Sequence, residues 1–477
     1  MSRTRRDFLK QTGCAALGAS ALAAGIQDFG LVRAFAQSGA ADYKALVCVF
    51  MSGGNDGNNT VVPVDATRFA QYTNARSAAG LALPAPGQAG GLLAINPASG
   101  GQYGLHPSMT EMQSLFTQGK AAVVCNTGPL VEPLTKATYQ NGTGKKPLQL
   151  FSHSDQVNEW FTSVANDNSQ TGWGGRTADR IAPLNGAATF PQMVSIAGVN
   201  LFVTGQSTRP LAVGDSSTPL GSVLPLNSAI NFDGITYTAA QNTARRNAFD
   251  AIRALVGGDA MLTKASADVT TSALQTSAAL GSANPSITTT FPNTSVGRQL
   301  LQIARLIALR DTLSMKRQIF FVQIGGFDTH NNQTAANSQS SLLAQVSQAI
   351  NAFYNATVEL GVASNVTTFT LSDFGRTLQP AGAGAGVGSD HAWGNHHFVV
   401  GGAVRGGDFY GAYPTLVMGG PDDTDTGTNP RGRWIPTTSV EQFAATLSLW
   451  YGLSVSDLPL VFPLIGRFNT PNLGFMS

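Results

Sequence analysis

The sequence predicts an α/β fold with a mainly parallel central sheet and helices on both faces. Short apolar runs alternate along the chain with segments of helical periodicity, which is the pattern of strands joined by helical crossovers. The run from Ala45 to Met51 contains only apolar residues and ends just before a pair of glycines, as a strand buried on both faces does. Polar segments follow this run and two later predicted strands directly, so we expect them to meet at one edge of the sheet.

The other elements follow from their local patterns. We predict strands in short apolar or β-branched runs, at 121–125, 190–196, 319–324 and 366–371. We predict helices where apolar residues recur every three or four positions, at 107–119, 239–256, 296–315, 339–360 and 440–452, with a further helix after Ser152. Residues 80–104 and 257–295 are rich in small and polar residues, and we interpret them as insertions in a single domain spanning 37–477.

The first 36 residues have the order of a twin-arginine export signal. Arg5 and Arg6 precede a weakly apolar stretch near 12–25, and a small-residue cleavage site follows at 34–36. We therefore expect the twin-arginine translocase as a partner and a periplasmic or secreted protein. No later segment has 18 uninterrupted apolar residues, so no membrane span is expected in the mature chain.

The charge balance argues against nucleic-acid binding. Without the predicted signal, 24 basic and 25 acidic residues remain. No basic block or basic helical face stands out from this near-neutral background. A protein that binds nucleic acid needs one to contact the phosphate backbone.

Histidine is rare in the chain, and its clustering points to a metal site. Three of the six histidines, His391, His396 and His397, lie within the segment 390–397 together with Asp390. Imidazole and carboxylate groups at a loop-to-strand junction are typical transition-metal ligands. His396 and His397 are adjacent, so in an extended chain they face opposite sides and only one is expected to ligate. Which of them turns inward is left open.

Carboxylates at predicted strand ends supply further candidate ligands. Asp328 and His330 are two residues apart, so in an extended segment both side chains can reach one ion. Asp56 and Asp373 follow two other predicted strands. Arg376 is a candidate clamp for an anionic oxygen, because its guanidinium matches sulfate or phosphate geometry.

A serine pair offers a candidate nucleophile. Ser152 and Ser154 flank His153 at the predicted start of a helix. Backbone N–H groups at a helix N-terminus favour an anion and lower the free energy of a developing alkoxide. We favour Ser152 over Ser154, and a plain helix cap is the structural alternative.

Taken together, these motifs resemble the bacterial family known as domain of unknown function 1501. The matching elements are the twin-arginine leader and the segments 53–57, 105–107, 152–153, 325–330, 372–377, 390–397 and 461–463. That family looks like a branch of the alkaline phosphatase and sulfatase superfamily.

The resemblance implies an alkaline-phosphatase-like fold, a hydroxyl nucleophile at a helix start, and transfer of phosphoryl or sulfuryl groups. It also implies one or two divalent ions, with zinc expected and manganese or calcium as alternatives. Asp56 and Asp373 resemble ligands of the second metal. Asp328 and His330 resemble ligands of the first, as does His396 or His397. A histidine normally follows the later aspartate, but Phe374 stands there, and His391 is the candidate replacement.

Two functions are compatible with these motifs. The first is an exported metal-dependent hydrolase of small or polymeric phosphate or sulfate esters, with two metal ions, Ser152 as nucleophile and Arg376 as clamp. The second is a non-catalytic exported binding or scaffolding protein that retains a vestigial metal site. Cys-x-Pro-x-Arg does not occur, so the resemblance gives no support to a formylglycine sulfatase.

Overall fold

The protein is described by a computed structural model that covers residues 43–220, 237–254, 270–271, 274–276, 278, 280, 285–426 and 428–477. The predicted export signal, residues 1–36, lies outside the described residues, as does most of the predicted insertion 257–295. The chain from Lys44 to Ser477 forms one compact unit.

A nine-stranded sheet organises the fold. Fourteen strands are described: β1 Lys44–Met51, β2 Val61–Pro63, β3 Leu93–Ile95, β4 Tyr103–Leu105, β5 Ala121–Gly128, β6 Met193–Ser195, β7 Leu211–Ala212, β8 Arg317–Ile324, β9 Val366–Ser372, β10 Arg376–Ala381, β11 Gly388–His391, β12 Asn395–Gly401, β13 Phe409–Tyr410 and β14 Thr438–Ser439. The large sheet has the order β13-β5-β12-β9-β1-β8-β6-β7, with β14 beside β5. Its described pairings are parallel except the two made by β12.

Helices cover this sheet. They are α1 Gly57–Thr60, α2 Ala66–Arg76, α3 Thr110–Thr117, α4 Lys136–Gln140, α5 His153–Thr162, α6 Trp173–Ile181, α7 Ala239–Ala254, α8 Ser295–Ala308, α9 Gln339–Glu359, α10 Val440–Tyr451 and α11 Leu458–Val461. The predicted mainly parallel α/β fold is confirmed, and the long helices and strands lie where the periodicity placed them.

The core reflects the alternation of side chains along each strand. Leu46, Cys48 and Phe50 of β1 point into a cluster built with α5, α6, α10 and α11. Helix α8 contacts β8, and it packs on α9, which in turn packs on α3. No helix within the described part of the chain is long and apolar enough to cross a membrane.

The strand register decides where the site lies. Met51 at the end of β1 pairs with Ile324 at the end of β8 and with Ser372 at the end of β9. The carboxyl ends of three neighbouring strands are therefore level, and the polar segments that follow them start at one edge of the sheet.

The predicted insertion at 80–104 contains regular secondary structure. Strand β4 pairs with both β2 and β3 in a separate three-stranded antiparallel sheet. These strands are only three residues long, and glycine and alanine around them obscure the alternating pattern that marks longer strands.

Candidate metal centre

Four side chains converge at the carboxyl edge of the sheet. Asp328 Oδ1 lies 3.3 Å from His330 Nε2, 3.6 Å from His153 Nε2 and 3.7 Å from His391 Nε2. Ligand atoms of His153, Asp328 and His391 all lie within 4.8 Å of one another. The Asp328 side chain is 48% exposed, so this His₃Asp centre opens to solvent.

Each of the three histidines is oriented through its other ring nitrogen. His153 Nδ1 donates to Asp373 Oδ2 at 2.7 Å, and His330 Nδ1 donates to Asp390 Oδ1 at 2.9 Å. His391 Nδ1 donates to the carbonyl of Phe151 at 2.7 Å. Because carboxylates and carbonyls only accept, a neutral ring in each case carries its proton on Nδ1 and a lone pair on Nε2. This arrangement is typical of metal-ligating histidines.

The contact between two of these rings indicates what the centre is built for. His330 Nε2 and His391 Nε2 are 2.8 Å apart, yet in the neutral tautomers both present lone pairs. Two acceptors at that distance repel unless they share a proton or both ligate one cation. Partial burial lowers the pKa of His391, as do the neighbouring Arg376 and the other two histidines. Those conditions favour the neutral form of His391, which is the form that ligates a metal.

Asp328 is held in place by Arg376. Arg376 is buried and donates to Asp328 Oδ1, to the carbonyls of Gly53 and Gly54, and to that of Ser389. Partial burial alone would raise the pKa of Asp328, but the hydrogen bond and charge of Arg376 bring it below its ordinary value. The guanidinium is therefore occupied by protein groups. These contacts leave the predicted role as a substrate clamp without support and show a side chain that positions Asp328.

A glycine allows the strand ends to approach. Gly53 has a φ of +116°, and a Cβ at this position would lie 2.4 Å from the amide nitrogen of Asp328. Its own amide donates to Asp373 Oδ1 at 2.8 Å. The left-handed backbone and the close approach both require glycine. The glycine pair thus brings the end of β1 against the segments that carry Asp328 and Asp373.

The set of metal ligands predicted from sequence did not include His153, which the structure places beside Asp328 and His391. Asp373, predicted to bind a second metal, instead accepts from His153 and orients it, while the ring of Phe374 packs at a tilt against the rings of His153 and His391, with centroids 4.7 and 4.6 Å apart. His391, the candidate replacement for the histidine whose place Phe374 takes, does reach the centre. The signal for His153 was its position between two serines at a helix start in a histidine-poor chain.

Asp56 is a correction to the predicted ligand set. Its carboxylate is 1% exposed and accepts from Arg76 at 2.6 and 3.1 Å, from Gln333 at 2.6 Å and from the amide of Asn58 at 3.1 Å. It caps α1 and forms a buried ion pair with Arg76. With both oxygens engaged by protein donors, we do not include it among the ligands.

The adjacent histidines are a second correction. They face opposite sides of β12, as the extended chain requires, but the structure brings neither to the centre. His396 stacks on Tyr413 at 4.5 Å and accepts from the amide of Asn126, whereas His397 contacts Trp160 and Phe443. Burial lowers the pKa of both imidazoles to about 3, so they are neutral core residues.

The predicted nucleophile lies beside the centre. Ser152 is the N-cap residue of α5, between Phe151, whose carbonyl accepts from His391, and His153. Its hydroxyl does not cap the helix but donates to Asp155 Oδ2 at 2.6 Å. Ser154 donates to the same oxygen at 3.1 Å and is exposed. Ser152 is therefore the serine bracketed by residues of the centre.

The donor set fits a divalent cation. Three imidazoles and one carboxylate, each oriented by a second hydrogen bond, are ligands that zinc accepts. Among the described residues, Asp56 and Asp373 both accept from other protein groups, which leaves one candidate set of ligands.

The sequence pattern of one family, described as a protein of unknown function (DUF1501), matches residues 43–431. The chain belongs to the DUF1501 family. This confirms the resemblance inferred from the motifs. No curated protein sequence matches the DUF1501 chain.

Among solved structures, this DUF1501 chain is similar to the PsFucS1 sulfatase from Pseudoalteromonas sp., with 11% identity and a TM-score of 0.32 over 89% of this chain and 70% of that one. It is also similar to Ps i-CgsB, alone with 9% identity and a TM-score of 0.34, and in complex with k-i-k-neocarrahexaose with 8% identity and a TM-score of 0.31. Both of these matches cover 90% of this chain and 77% of that one.

Proposed function

We propose that the protein is a metal-dependent hydrolase of sulfate or phosphate esters that uses one divalent cation, with zinc expected. The observation that carries the proposal is the convergence of three oriented Nε2 atoms on Asp328 Oδ1 at 3.3–3.7 Å. His153, Asp328, His330 and His391 would hold the cation. When bound, the cation would polarise the ester oxygens as a Lewis acid.

The residues around the centre have separate roles in this reaction. Ser152 Oγ attacks sulfur or phosphorus while its proton passes to Asp155, and the bond to the alcohol oxygen breaks. The proton is then returned to the departing alcohol. Water hydrolyses the serine ester, which releases sulfate or phosphate and restores the hydroxyl. The free amides of the first turn of α5 stabilise the negative charge on the transferring group.

Metal content tests the centre itself. Purified protein is expected to contain about one zinc per chain by elemental analysis, since one ligand set is assembled. His153→Ala should lose most of it, because the orienting groups cannot replace a ligand. His106→Asn is the matched control, since His106 is a buried histidine whose Nδ1 accepts from the amide of Ser108. Full metal content in His153→Ala would refute this ligand set.

Turnover tests the chemistry separately. Aryl sulfate and aryl phosphate hydrolysis should fall at least about a hundredfold in Ser152→Ala, and much less in Ser154→Ala. Metal content should stay unchanged in both variants. A loaded protein that hydrolyses neither ester would favour the alternative, a binding or scaffolding protein with a retained metal site.

We also propose that the protein acts after twin-arginine export to the periplasm or the medium. The support is the Arg5-Arg6 leader with its apolar stretch and cleavage site. Fractionation of cells expressing the full chain is the test. Replacing both arginines by lysine should retain the protein inside the cell, and continued export of that variant would exclude the twin-arginine route.

A further inference from the structure

Arg431 lies at the rim of the metal centre and contacts one of its supports. Its Nη2 donates to Asp390, whose other carboxyl oxygen accepts from His330. Within the described part of the chain, Nε and Nη1 of Arg431 make no hydrogen bond, and neither atom is sealed from solvent. Two of the three guanidinium nitrogens are therefore free to contact a ligand.

Arg433, two positions further along the chain, packs on Phe151. Its guanidinium carbon lies 4.7 Å from the centroid of that ring. Phe151 precedes Ser152, and its carbonyl accepts from His391. Nη1 of Arg433 lies 3.4 Å from Asp425 Oδ1 and its Nε is buried. Nη2, however, has no hydrogen-bond partner among the described residues and is not sealed from solvent, so it can meet a ligand.

Phe151 provides a fixed surface for Arg433. Its φ is +70°, in the left-handed region that residues other than glycine rarely adopt. Such a conformation persists only where the surrounding contacts fix it. The carbonyl of Phe151 is held by His391, and its side chain packs against the buried cluster that contains Leu130 and Trp393. The guanidinium therefore rests on a part of the wall that does not depend on a ligand.

A buried aspartate fixes the loop that carries both arginines. The two carboxyl oxygens of Asp423 accept at 2.8–3.1 Å from the backbone amides of four residues of this loop, Gly419, Asp425, Gly432 and Arg433. Four bonds to one carboxylate restrict the loop before any ligand binds. Little ordering of the backbone is then needed on binding, which favours affinity.

The two loop arginines differ from Arg376, the clamp predicted from sequence. Arg376 is buried and donates to protein oxygens. Arg431 and Arg433 each have one acidic partner and keep nitrogen atoms that reach solvent. Among the described residues, they are the cationic side chains that both contact the supports of the centre and remain accessible.

We propose that Arg431 and Arg433 bind a second anionic group of the substrate, beside the ester that the centre holds. Guanidinium groups match the oxygens of sulfate, phosphate and carboxylate. One carboxylate and one imidazole separate Arg431 from the centre, so the second group lies about the width of a six-membered ring from the first. The substrate class is therefore an ester that carries a further oxyanion. This inference rests on the proposed function, because the second group is defined by its place beside the reacting ester.

The test is calorimetric binding of two sulfonates, which the protein cannot hydrolyse, to the zinc-loaded protein. Benzene-1,3-disulfonate is expected to bind at least about tenfold more tightly than benzenesulfonate, the gain from one further charge-assisted contact. In Arg433→Gln the two probes should bind within about threefold of each other. Arg433→Lys keeps the charge and should retain part of the difference.

Arg68→Gln is the matched control. Arg68 is 25% exposed, as Arg433 is, and it likewise pairs with an aspartate and lies over an aromatic ring. Its partners are Asp65, Tyr103 and Tyr413, none of which belongs to the centre. The tenfold difference between the two sulfonates should therefore survive in this variant.

Arg431→Gln is the second variant, and it decides the question if Arg433→Gln does not fold. It should also reduce the difference between the probes. Zinc content is measured in the same preparation, because Asp390 supports His330. Equal binding of both sulfonates by the parent protein, an unchanged difference in the folded arginine variants, or an equal loss in Arg68→Gln would overturn the proposal.

Turnover separates this inference from the proposed function. Ester hydrolysis by a protein that binds both sulfonates equally would overturn the second anion site alone. An arginine-dependent preference for the disulfonate in a zinc-loaded protein that hydrolyses no ester would overturn the hydrolase function and support the anion site.

Discussion

Asp373→Asn tests whether the metal centre depends on the orientation of His153. Asp373 Oδ2 accepts from His153 Nδ1 at 2.7 Å, while Oδ1 accepts from the amide of Gly53 at 2.8 Å. Asparagine can keep the second bond, but it then turns its NH₂ group toward a ring nitrogen that already carries hydrogen. His153 must move its proton to Nε2, where it can no longer ligate, or rotate away.

The magnitude follows from the bond that is lost. A hydrogen bond to a charged group contributes about 1.5–3 kcal/mol, and each 1.4 kcal/mol is a factor of ten, so zinc affinity should fall roughly 10- to 100-fold. The assay is competition between the metal-free protein and a chelator. Asp408→Asn is the control, because Asp408 also accepts from backbone amides, those of Ser99 and Phe409. An affinity within threefold of the parent protein, or an equal loss in the control, would refute the reasoning.

Three other perturbations follow from the same geometry. Gly53→Ala places a Cβ 2.4 Å from the Asp328 amide and should weaken zinc binding, whereas Gly80→Ala, at φ +81° with nothing within 4 Å, should cost only about 1–2 kcal/mol of stability in denaturant titrations. Arg76→Leu leaves its buried carboxylate partner unpaired and should lower the free energy of unfolding by about 3–5 kcal/mol without changing metal content, and a loss of metal would contradict its structural role. Burial raises the pKa of Glu159 from 4.5 to about 9, so between these two pH values the folded state keeps a proton that the unfolded state releases. The free energy of unfolding therefore falls as the pH rises through this range, by up to about 1.4 kcal/mol per pH unit. Glu159→Gln should make the free energy of unfolding depend less on pH between about pH 5 and 8. An unchanged pH dependence would show that Glu159 is already ionised in the folded protein.

Local sequence pattern was enough to predict five strands of the main sheet and its mainly parallel character. The run 45–51 is apolar throughout because β1 lies between β8 and β9 and is buried on both faces. Uniform burial leaves a pattern that needs no knowledge of the neighbours. The same reasoning explains the failure at β3 and β4, whose three-residue strands carry too few residues for a pattern.

For the site, the sequence located the edge and part of the side-chain cluster that the structure brings together there. Asp328, His330 and His391 were predicted, since strand-end motifs converge in any parallel sheet with aligned carboxyl ends. His396 and His397 were the least reliable candidates, because spacing alone cannot show whether a histidine in a strand faces a site or the core.

The sequence alone determined the α/β fold, the edge that carries the polar segments, and the residue types available there. Only the tertiary structure decided which of those residues meet. Asp56 forms an ion pair with Arg76, twenty positions further along the chain, and Arg376 donates to the carbonyls of Gly53 and Gly54. His153 reached the centre because α5 packs against the strand ends. A carboxylate or an imidazole forms hydrogen bonds with whichever partner the packing places within about 3 Å of it. Local sequence pattern does not determine that distance.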